Sequence, residues 1–415
     1  ISYHKLSKSA FITIDEPLTS NPTSFARISM AALTTTGMKT KPEDNNEVVS
    51  TQNLTLGTPV NVATHVNDSG FTAGGVQSLD ISGNLLAIAV ANTTKNLNGV
   101  IAFYTLDANG SATFVRKVSV GVLPDGVAFS PNGKYWCVCF AAGDVFQIFS
   151  TLDDKLVASV PLPAGSWNTI AFSSDSKMAH TVDWNSSGRV ACINLETKTL
   201  KKIIGNGALE FPHGIALLND TAMYVSANKG NYLYRANIED LDNVDFQTVV
   251  AEKNAALNKN SSLDIHEIVF SPDQSKYFLS CQTSNEVRVM DTKKDTLIAV
   301  INTGKYPVEF SFSTKYHLLF VSCMEDDTYI SEGIKGSITA IDYTNNINFL
   351  EERQGCRIIP VANPRNADYS NRLGMLGHIL DNLLIAFCGK KVFWNRRVAQ
   401  KLFTNKTGVA RSFVI

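Results

Sequence analysis

Two histidines occupy matching places in two similar segments of the chain, Phe211-Pro-His-Gly and Asp264-Ile-His-Glu. Imidazole nitrogens and carboxylate oxygens are ordinary ligands for divalent cations, and both also bind small polar ligands. The predicted ligand-binding residues are Asp125, Asn168, His213, His266, Glu267 and Glu309. His213 and His266 are the predicted metal ligands, with a divalent cation as the candidate cofactor. No residue is assigned a catalytic role.

These residues stand at the start of a repeated unit. Its clearest copy runs Gly126-Val-Ala-Phe-Ser-Pro-Asn-Gly-Lys-Tyr-Trp-Cys-Val-Cys-Phe140 and continues with Val145–Ser150 and Leu156–Pro161. Alternating β-forming residues, separated by Ser-Pro-Asn-Gly and Ala-Gly-Asp turns, predict four short strands in each unit.

Six copies of the unit recur at an interval that is typical of one architecture. Their matched first-strand residues are Leu79, Ala128, Ala171, Ala216, Val269 and Ser311, which gives steps of 49, 43, 45, 53 and 42 residues. A period of about 40–50 residues with four strands per unit is typical of a β-propeller blade. The longest step contains a polar insertion, Ala255–Ser262. The expected fold is therefore all-β, a β-propeller of four-stranded antiparallel blades.

Other architectures fit the repeat less well. A parallel α/β fold would need helices of about 10–15 residues between strands, and residues 70–345 contain no such pattern. A β-sandwich would not produce this self-similarity. Seven blades are expected, with a composite seventh blade built from Val60–His65 and part of 346–372, while a six-bladed ring stays open.

A propeller would bring the predicted site residues together. One blade cannot bury both of its faces, so blades stack in a ring around a central channel. Because the matched places begin the first strand of each unit, their side chains are expected at the mouth of that channel. A channel that is lined by polar side chains and binds only water is the alternative.

Composition excludes several classes of partner. The 415 residues are 44% hydrophobic and 18% charged, with a formal net charge of −1. This balance indicates a globular chain and gives no sign of nucleic acid or an anionic membrane as a partner. No apolar run approaches the roughly 20 residues that cross a bilayer, so no transmembrane segment is expected.

The chain is expected to divide into three parts. Residues 1–50 are predicted to be an irregular N-terminal segment, 51–360 the propeller, and 361–415 a basic segment without the repeat. A poorly ordered appendage is the favoured interpretation of the basic segment, with partner contact as the alternative. The acidic run Glu325-Asp-Asp327 lacks the spacing of a calcium-binding loop and is interpreted as a solvated or protein-contacting loop.

Several segments resemble a known repeat family. Pro124–Lys134, Ile265–Asp273 and Tyr224-Val-Ser-Ala-Asn228 resemble the repeats of YVTN-type seven-bladed propellers. Gly74–Phe129 also resembles the opening blade of secreted choice-of-anchor propellers. Related propellers include surface-layer and cell-envelope proteins, quinoprotein-like enzymes and lactonases. The resemblance implies an extracellular or periplasmic location, and it specifies the fold better than the activity.

Two functions follow as hypotheses. No nucleophile elbow, metalloprotease motif or phosphate-binding loop occurs in the sequence, which favours a non-catalytic scaffold that binds a protein or glycan of the cell envelope. The alternative is a metal-dependent, lactonase-like hydrolase. There His213 or His266 would act as general base and Glu267 or Glu309 as a metal ligand.

Overall fold

The computed structural model describes residues 2–7, 9–14, 24–29, 55–56, 60–94, 96–250, 263–314, 317–324, 334–343 and 356–362. The chain divides into two compact units, 1–364 and 365–415, and every element described below belongs to the first. Apart from residues 361 and 362, the predicted basic segment lies outside the described residues. The predicted part boundaries after residues 50 and 360 stay predictions.

The described chain begins with a five-stranded antiparallel sheet and one short helix. The strands are β1 (Ser2–His4), β2 (Ser9–Ile14), β3 (Ser24–Ser29), β4 (Thr55–Leu56) and β5 (Val60–Asn61), and helix α1 is Ala63–Val66. Strand β2 pairs with β1 and β3, and both β4 and β5 pair with β3. Three of these strands lie within residues 1–50, where an irregular segment was expected.

Six four-stranded antiparallel sheets follow and confirm the predicted β-propeller blades. The first three blades are β6 (Ala73–Ser82), β7 (Leu85–Asn92), β8 (Asn98–Leu106), β9 (Ala112–Val122); β10 (Pro124–Phe129), β11 (Tyr135–Phe140), β12 (Gly143–Ser150), β13 (Leu156–Gly165); and β14 (Trp167–Phe172), β15 (Met178–Asp183), β16 (Gly188–Asn194), β17 (Thr199–Leu209). The last three are β18 (Pro212–Leu218), β19 (Ala222–Ala227), β20 (Tyr232–Asn237), β21 (Gln247–Val250); β22 (Ile265–Phe270), β23 (Lys276–Cys281), β24 (Glu286–Asp291), β25 (Thr296–Asn302); and β26 (Pro307–Ser313), β27 (Leu318–Cys323), β28 (Ile334–Asp342), β29 (Cys356–Ala362). Each blade pairs its strands in chain order.

The repeated Ser-x-Asn or Ser-x-Asp sequence forms the same turn in several blades. In the second blade, the Oγ of Ser130 accepts a hydrogen bond from the N–H of Tyr135 at 3.0 Å. Ser173 and Ser271 accept the matching bonds in the third and fifth blades at 2.9 and 3.1 Å. Side chains of this kind bond to nearby backbone and stabilise turns, so the repeat fixes the register of the first hairpin.

Apolar clusters fill the interfaces between neighbouring blades. Between the first and second blades, the fully buried Trp136 stacks on Phe149 at a centroid distance of 3.9 Å and meets Phe103 of the preceding blade. Similar clusters join the later blades in turn. Burying one aromatic ring of this size contributes about 2–3 kcal/mol. Because the apolar faces are shared, each blade depends on its neighbours.

The N-terminal sheet packs against the first blade in the same way. Phe11 and Val62 lie in one cluster with Val76 and Leu86 of that blade. Strand β1 contacts both β6 of the first blade and β26 of the sixth. Strand β29, which falls in the stretch expected to join a seventh blade, pairs with β28 in the sixth blade instead. That part of the prediction is wrong, because β29 completes a blade that otherwise has three strands.

A separate observation concerns membranes. Within the described ranges, no helix has both the length and the apolar character needed to cross a bilayer.

Candidate functional site

A β-bulge interrupts the first strand of each of the six blades at the same place. In the second blade the register shifts between Pro124 and Val127, so that Asp125 and Gly126 face one residue of β11. Strands β6, β14, β18, β22 and β26 shift at the corresponding place. The matched pairs are Gln77-Ser78, Asp125-Gly126, Asn168-Thr169, His213-Gly214, His266-Glu267 and Val308-Glu309. All six predicted ligand-binding residues are therefore bulge residues, and a bulge re-aims the side chains that it carries.

Serines on the second strands link these bulges across neighbouring blades. The Oγ of Ser226 accepts a hydrogen bond from the N–H of Gly214 at 2.7 Å and donates one to the carbonyl of His266 at 2.8 Å. Ser280 accepts from the N–H of Glu267 at 2.9 Å and donates to a carbonyl in the sixth blade at 2.7 Å. Each hydroxyl thus fixes one bulge relative to the next. Sequence reasoning missed these serines, although they occupy matched places in β19 and β23.

The two predicted metal ligands lie side by side. The ring centroids of His213 and His266 are 3.6 Å apart, with the ring planes tilted by 37°. A nitrogen of each ring and a carboxylate oxygen of Glu267 lie within 4.8 Å of one another. The Nδ1 atoms of both histidines and the Oε2 atom of Glu267 are buried without a hydrogen-bond partner. The three residues therefore lie close together, and each of them carries a buried polar atom without a hydrogen-bond partner.

Glu267 connects three blades. Its side chain is 6% exposed, and its Oε1 accepts a hydrogen bond from the N–H of Ile268 at 3.0 Å. The carboxyl also takes a hydrogen bond from the side chain of Thr169 in the third blade and interacts with the charge of Glu309 in the sixth. Thr169 is a contributor that the sequence interpretation did not assign to the site.

A second pair of predicted residues lies in the second and third blades. The Nδ2 of Asn168 donates a hydrogen bond to the Oδ2 of Asp125 at 2.6 Å. Burial raises the pKa of Asp125 to about 6, the bond from Asn168 acts in the opposite direction, and the charge of Glu309 raises it further. Glu309 therefore interacts with Asp125 as well as with Glu267, so carboxyl groups from the second, fifth and sixth blades influence one another.

Burial disfavours the charged forms of the titratable side chains at the channel mouth. It lowers the pKa of His213 to about 4 and the pKa of His266 well below its ordinary value, so both imidazoles are neutral near pH 7. Burial raises the pKa of Glu267, and the neighbouring Glu309 raises it further. The pKa of Glu309 is also raised by burial. Groups with such shifts are common in functional sites.

Two other candidates remain to be placed. The acidic run Glu325-Asp-Asp327 lies outside the described residues. A surface cavity of about 460 Å³ between the third and fourth blades includes His180 but none of the predicted site residues. There the Nδ1 of His180 lies 3.3 Å from the Sγ of Cys192. Burial raises the pKa of Cys192 to about 12, so the thiol is protonated and is not an activated nucleophile.

Many solved structures are similar to the chain, and two of them illustrate the likeness. A structure titled hydrazine synthase, from Kuenenia stuttgartiensis, is 12% identical with a TM-score of 0.59, and covers 83% of this chain and 95% of its own. A functionally unknown protein from Desulfotomaculum acetoxidans DSM 771 is 12% identical with a TM-score of 0.54, and covers 81% and 95% respectively. At such identity the likeness shows the fold alone.

The sequence comparisons are narrower. No curated protein matches the chain. The family model of the Choice-of-anchor I domain matches residues 29–145. That stretch includes the whole first blade and the first hairpin of the second, and it contains the segment Gly74–Phe129 that resembles choice-of-anchor propellers. Over these residues, the chain is similar to the Choice-of-anchor I domain.

Proposed function

We propose that the protein is an extracytoplasmic binding scaffold whose ligand site is the channel mouth, defined as the six bulge residues Asp125, Asn168, His213, His266, Glu267 and Glu309. One observation carries the proposal: side chains from five blades interact with one another at matched bulges. The match to the Choice-of-anchor I domain supports an extracellular or periplasmic location. A solvated rim would not require buried polar atoms, which cost free energy when they are unpaired.

The chemistry of the channel mouth suggests the kind of ligand. Neutral imidazoles and carboxyls of raised pKa both donate and accept hydrogen bonds. Such a set suits a hydroxyl or amine group better than an anion. We infer that a protein or glycan of the cell envelope inserts a group of this kind into the channel mouth.

Binding measurements on two variants test this proposal. Asp125→Asn and Glu309→Gln keep the side-chain volume, and each removes one carboxyl group, in the second and the sixth blade respectively. We expect each to weaken binding to immobilised envelope glycans or envelope proteins by about tenfold, since a hydrogen bond to a charged group contributes about 1.5–3 kcal/mol. Interferometry with the two materials separately identifies the class of partner.

The matched control is Glu196→Gln, which removes an exposed carboxylate on a turn between β16 and β17. This variant should bind like the wild type. The proposal fails if the wild type binds neither material, or if all three variants bind as well as the wild type does.

A second candidate function is a metal-dependent hydrolase, and the grouping of His213, His266 and Glu267 within 4.8 Å favours it. A cation there would polarise a lactone carbonyl and activate water. Lactone turnover that stops on chelation, returns with metal and is lost in His213→Ala and His266→Ala would support this function. A metal-loaded wild type without turnover would contradict it.

We also infer that the N-terminal sheet acts as a seventh blade. Its strand β1 contacts β6 and β26, the first strands of the first and sixth blades, as expected for an inner strand between them. The Oγ of Ser2 in β1 donates a hydrogen bond to the Oδ1 of Asp80 in β6 at 3.4 Å. A seventh blade at this position would close the ring around the channel mouth.

A further inference from the structure

We propose that the Nδ1 of His213, the Nδ1 of His266 and the Oε2 of Glu267 bind one divalent transition-metal ion of the zinc class. The inference rests on the channel mouth of the proposed function, but it requires neither a partner nor turnover. It can therefore fail while the binding scaffold stands, and the reverse also holds.

The first support is a coincidence of unpaired atoms. Few buried side-chain nitrogen and oxygen atoms among the described residues lack a hydrogen-bond partner, and three of them belong to these three residues. Leaving a buried polar group unpaired costs about 1–3 kcal/mol. Three such atoms at one place require a common explanation. A cation supplies it, because each atom carries a lone pair that a metal accepts.

The second support is the backbone beside the two rings. The backbone of His266 acts to raise the pKa of the His213 imidazole, and the backbone of Val308 acts in the same direction on His266. Metal-binding histidines usually donate one ring N–H to a backbone carbonyl or a carboxylate, which leaves the other lone pair to the metal. A backbone acceptor therefore stands beside each imidazole, as such a site requires.

The third support is the rigidity of the backbone that carries the proposed ligands. His213 and Glu267 come from bulges whose N–H groups and carbonyls are held by Ser226 and Ser280. A Cβ added at Gly214 would lie 2.7 Å from the Cα of Glu267, so the fourth and fifth blades approach closely here. The ligand atoms are therefore positioned before any ion arrives, as a selective metal site requires.

The ligand set selects the class of metal. Two imidazole nitrogens and one carboxylate oxygen suit zinc, copper, nickel or iron, whereas calcium and magnesium prefer oxygen ligands alone. In a tetrahedral site, two ligand atoms that lie about 2.1 Å from zinc are about 3.4 Å apart. The candidate ligand atoms lie within 4.8 Å of one another, so side-chain movements of about 1 Å would bring them to zinc-binding distances. Three protein ligands leave one position open for water or a ligand.

Metal titration of the full chain tests the inference. After chelation and dialysis, calorimetry with Zn²⁺ should show one ion per chain, and Ca²⁺ should show no binding at the same concentrations. Co²⁺ should give visible absorption of a nitrogen- and oxygen-bound ion, without the near-ultraviolet band that a thiolate ligand produces. This readout separates the site from the His180–Cys192 pair.

Variants assign the ligands. Each of His213→Gln, His266→Gln and Glu267→Gln removes a proposed ligand and should weaken Zn²⁺ binding by more than about 100-fold. Loss of a residue that only bonds to a ligand typically weakens metal binding by about 10- to 100-fold. The matched control His317→Gln removes an exposed histidine that lies in a turn, and this variant should bind Zn²⁺ like the wild type. Circular dichroism establishes that each variant is folded, and the isosteric Glu267→Gln provides a second test if a histidine variant is not.

Three results would overturn the inference. The wild type would bind no zinc, or would bind calcium equally well. Alternatively, folded His213→Gln and Glu267→Gln would both retain wild-type zinc affinity. Loss of partner binding in Asp125→Asn with intact zinc binding would instead bear on the proposed function alone.

Discussion

Gly214 makes room for the carboxylate beside the two histidines. Its N–H is bound by Ser226, and any Cβ at this position would press on the Cα of Glu267 at 2.7 Å. A backbone atom cannot rotate away as a flexible side chain does. The close approach of the fourth and fifth blades therefore depends on the absence of a side chain at this residue.

Gly214→Ala should destabilise the protein by about 1–3 kcal/mol, the usual cost of forcing an extra methyl group into a packed place. It should also weaken zinc binding, because Glu267 must shift. Urea unfolding and calorimetry measure the two effects. Gly70→Ala is the control, since its Cβ would meet only the Oδ1 of Asp68 at 3.7 Å. Equal stabilities of the two variants would contradict this account.

Asp125 is expected to cost stability at neutral pH. Its pKa is raised to about 6 by burial, so the folded state resists ionisation while the unfolded chain ionises near its ordinary value of 3.8. Stability therefore falls as pH rises through 6. Asp125→Asn should be more stable than the wild type by about 1–3 kcal/mol near pH 7.5 and should lose that advantage near pH 4. Urea unfolding at pH 7.5 measures the difference, and an Asp125→Asn variant that is less stable than the wild type would contradict this expectation.

His180 provides the opposite pH dependence. Burial lowers its pKa from 6.5 to about 4, so the unfolded chain binds a proton that the folded state rejects between these values. Stability contributed by the neutral ring is present above 6.5 and is lost as pH falls toward 4. Between about pH 7 and pH 5, the wild type should lose about 2 kcal/mol more than His180→Gln. Urea unfolding at the two pH values measures the loss, and the exposed control His317→Gln should lose as much stability as the wild type does.

Residue types and matched spacing were enough to predict which side chains gather. The sequence paired His213 with His266 and placed Glu267 and Glu309 beside them. It could not show that both Nδ1 atoms stay unpaired, because that depends on which backbone carbonyl each ring meets in the next blade. The contribution of Thr169 was also beyond it, since a threonine in a strand is ordinary.

Hydrogen bonds from Ser226 and Ser280 join the first strand of one blade to the first strand of the next. Ser226 and Ser280 each make two backbone hydrogen bonds, one within their own blade and one to the neighbouring blade. A hydroxyl placed in this way satisfies a bulge N–H that the ladder leaves unpaired. The bulges therefore keep a fixed shape at every interface where such a serine stands.

Ser280→Ala should cost about 1–3 kcal/mol, because a buried donor and a buried acceptor both lose their partner. It should also weaken zinc binding, because it frees the backbone of Glu267. Ser186→Ala removes an exposed hydroxyl that bonds only to the side chain of Asn185 and should change neither quantity. Thermal unfolding and zinc titration of both variants check the expectation, and matching values would contradict it.

The strands were predictable because each unit repeats its turn chemistry as well as its apolar pattern. The alignment of the first repeat was wrong by one residue. Strand pairing shows that Asp80, opposite Ala87, is the residue that matches Ala128, opposite Cys137. The predicted match, Leu79, therefore lies one residue too early. The first copy lacks the Ser-Pro-Asn-Gly turn that fixes the register in the second. Its alignment therefore depended on apolar residues alone, which tolerate a shift of one.

The N-terminal sheet, which we infer to be the seventh blade, covers one face of the first blade. Phe11 of β2 is 1% exposed and packs in one cluster with apolar residues of the first blade. Without this sheet, the apolar residues of that face would meet water. Burial of such a face is the force that stacks blades.

Phe11→Ala should therefore destabilise the protein by about 3–5 kcal/mol, as for other large side chains removed from a core. Leu6→Ala is the control, because Leu6 is 54% exposed. Calorimetric unfolding of both variants makes the comparison. A Phe11→Ala variant as stable as Leu6→Ala would show that the sheet is not part of the packed ring.

The sequence did not predict this sheet because its strands lack the features that marked the others. Strands β2, β3 and β4 are joined by long connections, from residue 15 to 23 and from 30 to 54, without the repeated turn. Short-range patterns identify hairpins with tight turns far better than strands that pair across such distances. The expected irregular segment at 1–50 followed from that gap in the signal.

Anomalous diffraction at the zinc absorption edge, from crystals grown with Zn²⁺, tests the convergence of the bulge residues most directly. The account predicts one strong peak per chain, about 2.0–2.1 Å from the Nδ1 atoms of His213 and His266 and from an oxygen of Glu267. A peak bound elsewhere, or ordered crystals with these three side chains pointing apart, would contradict it.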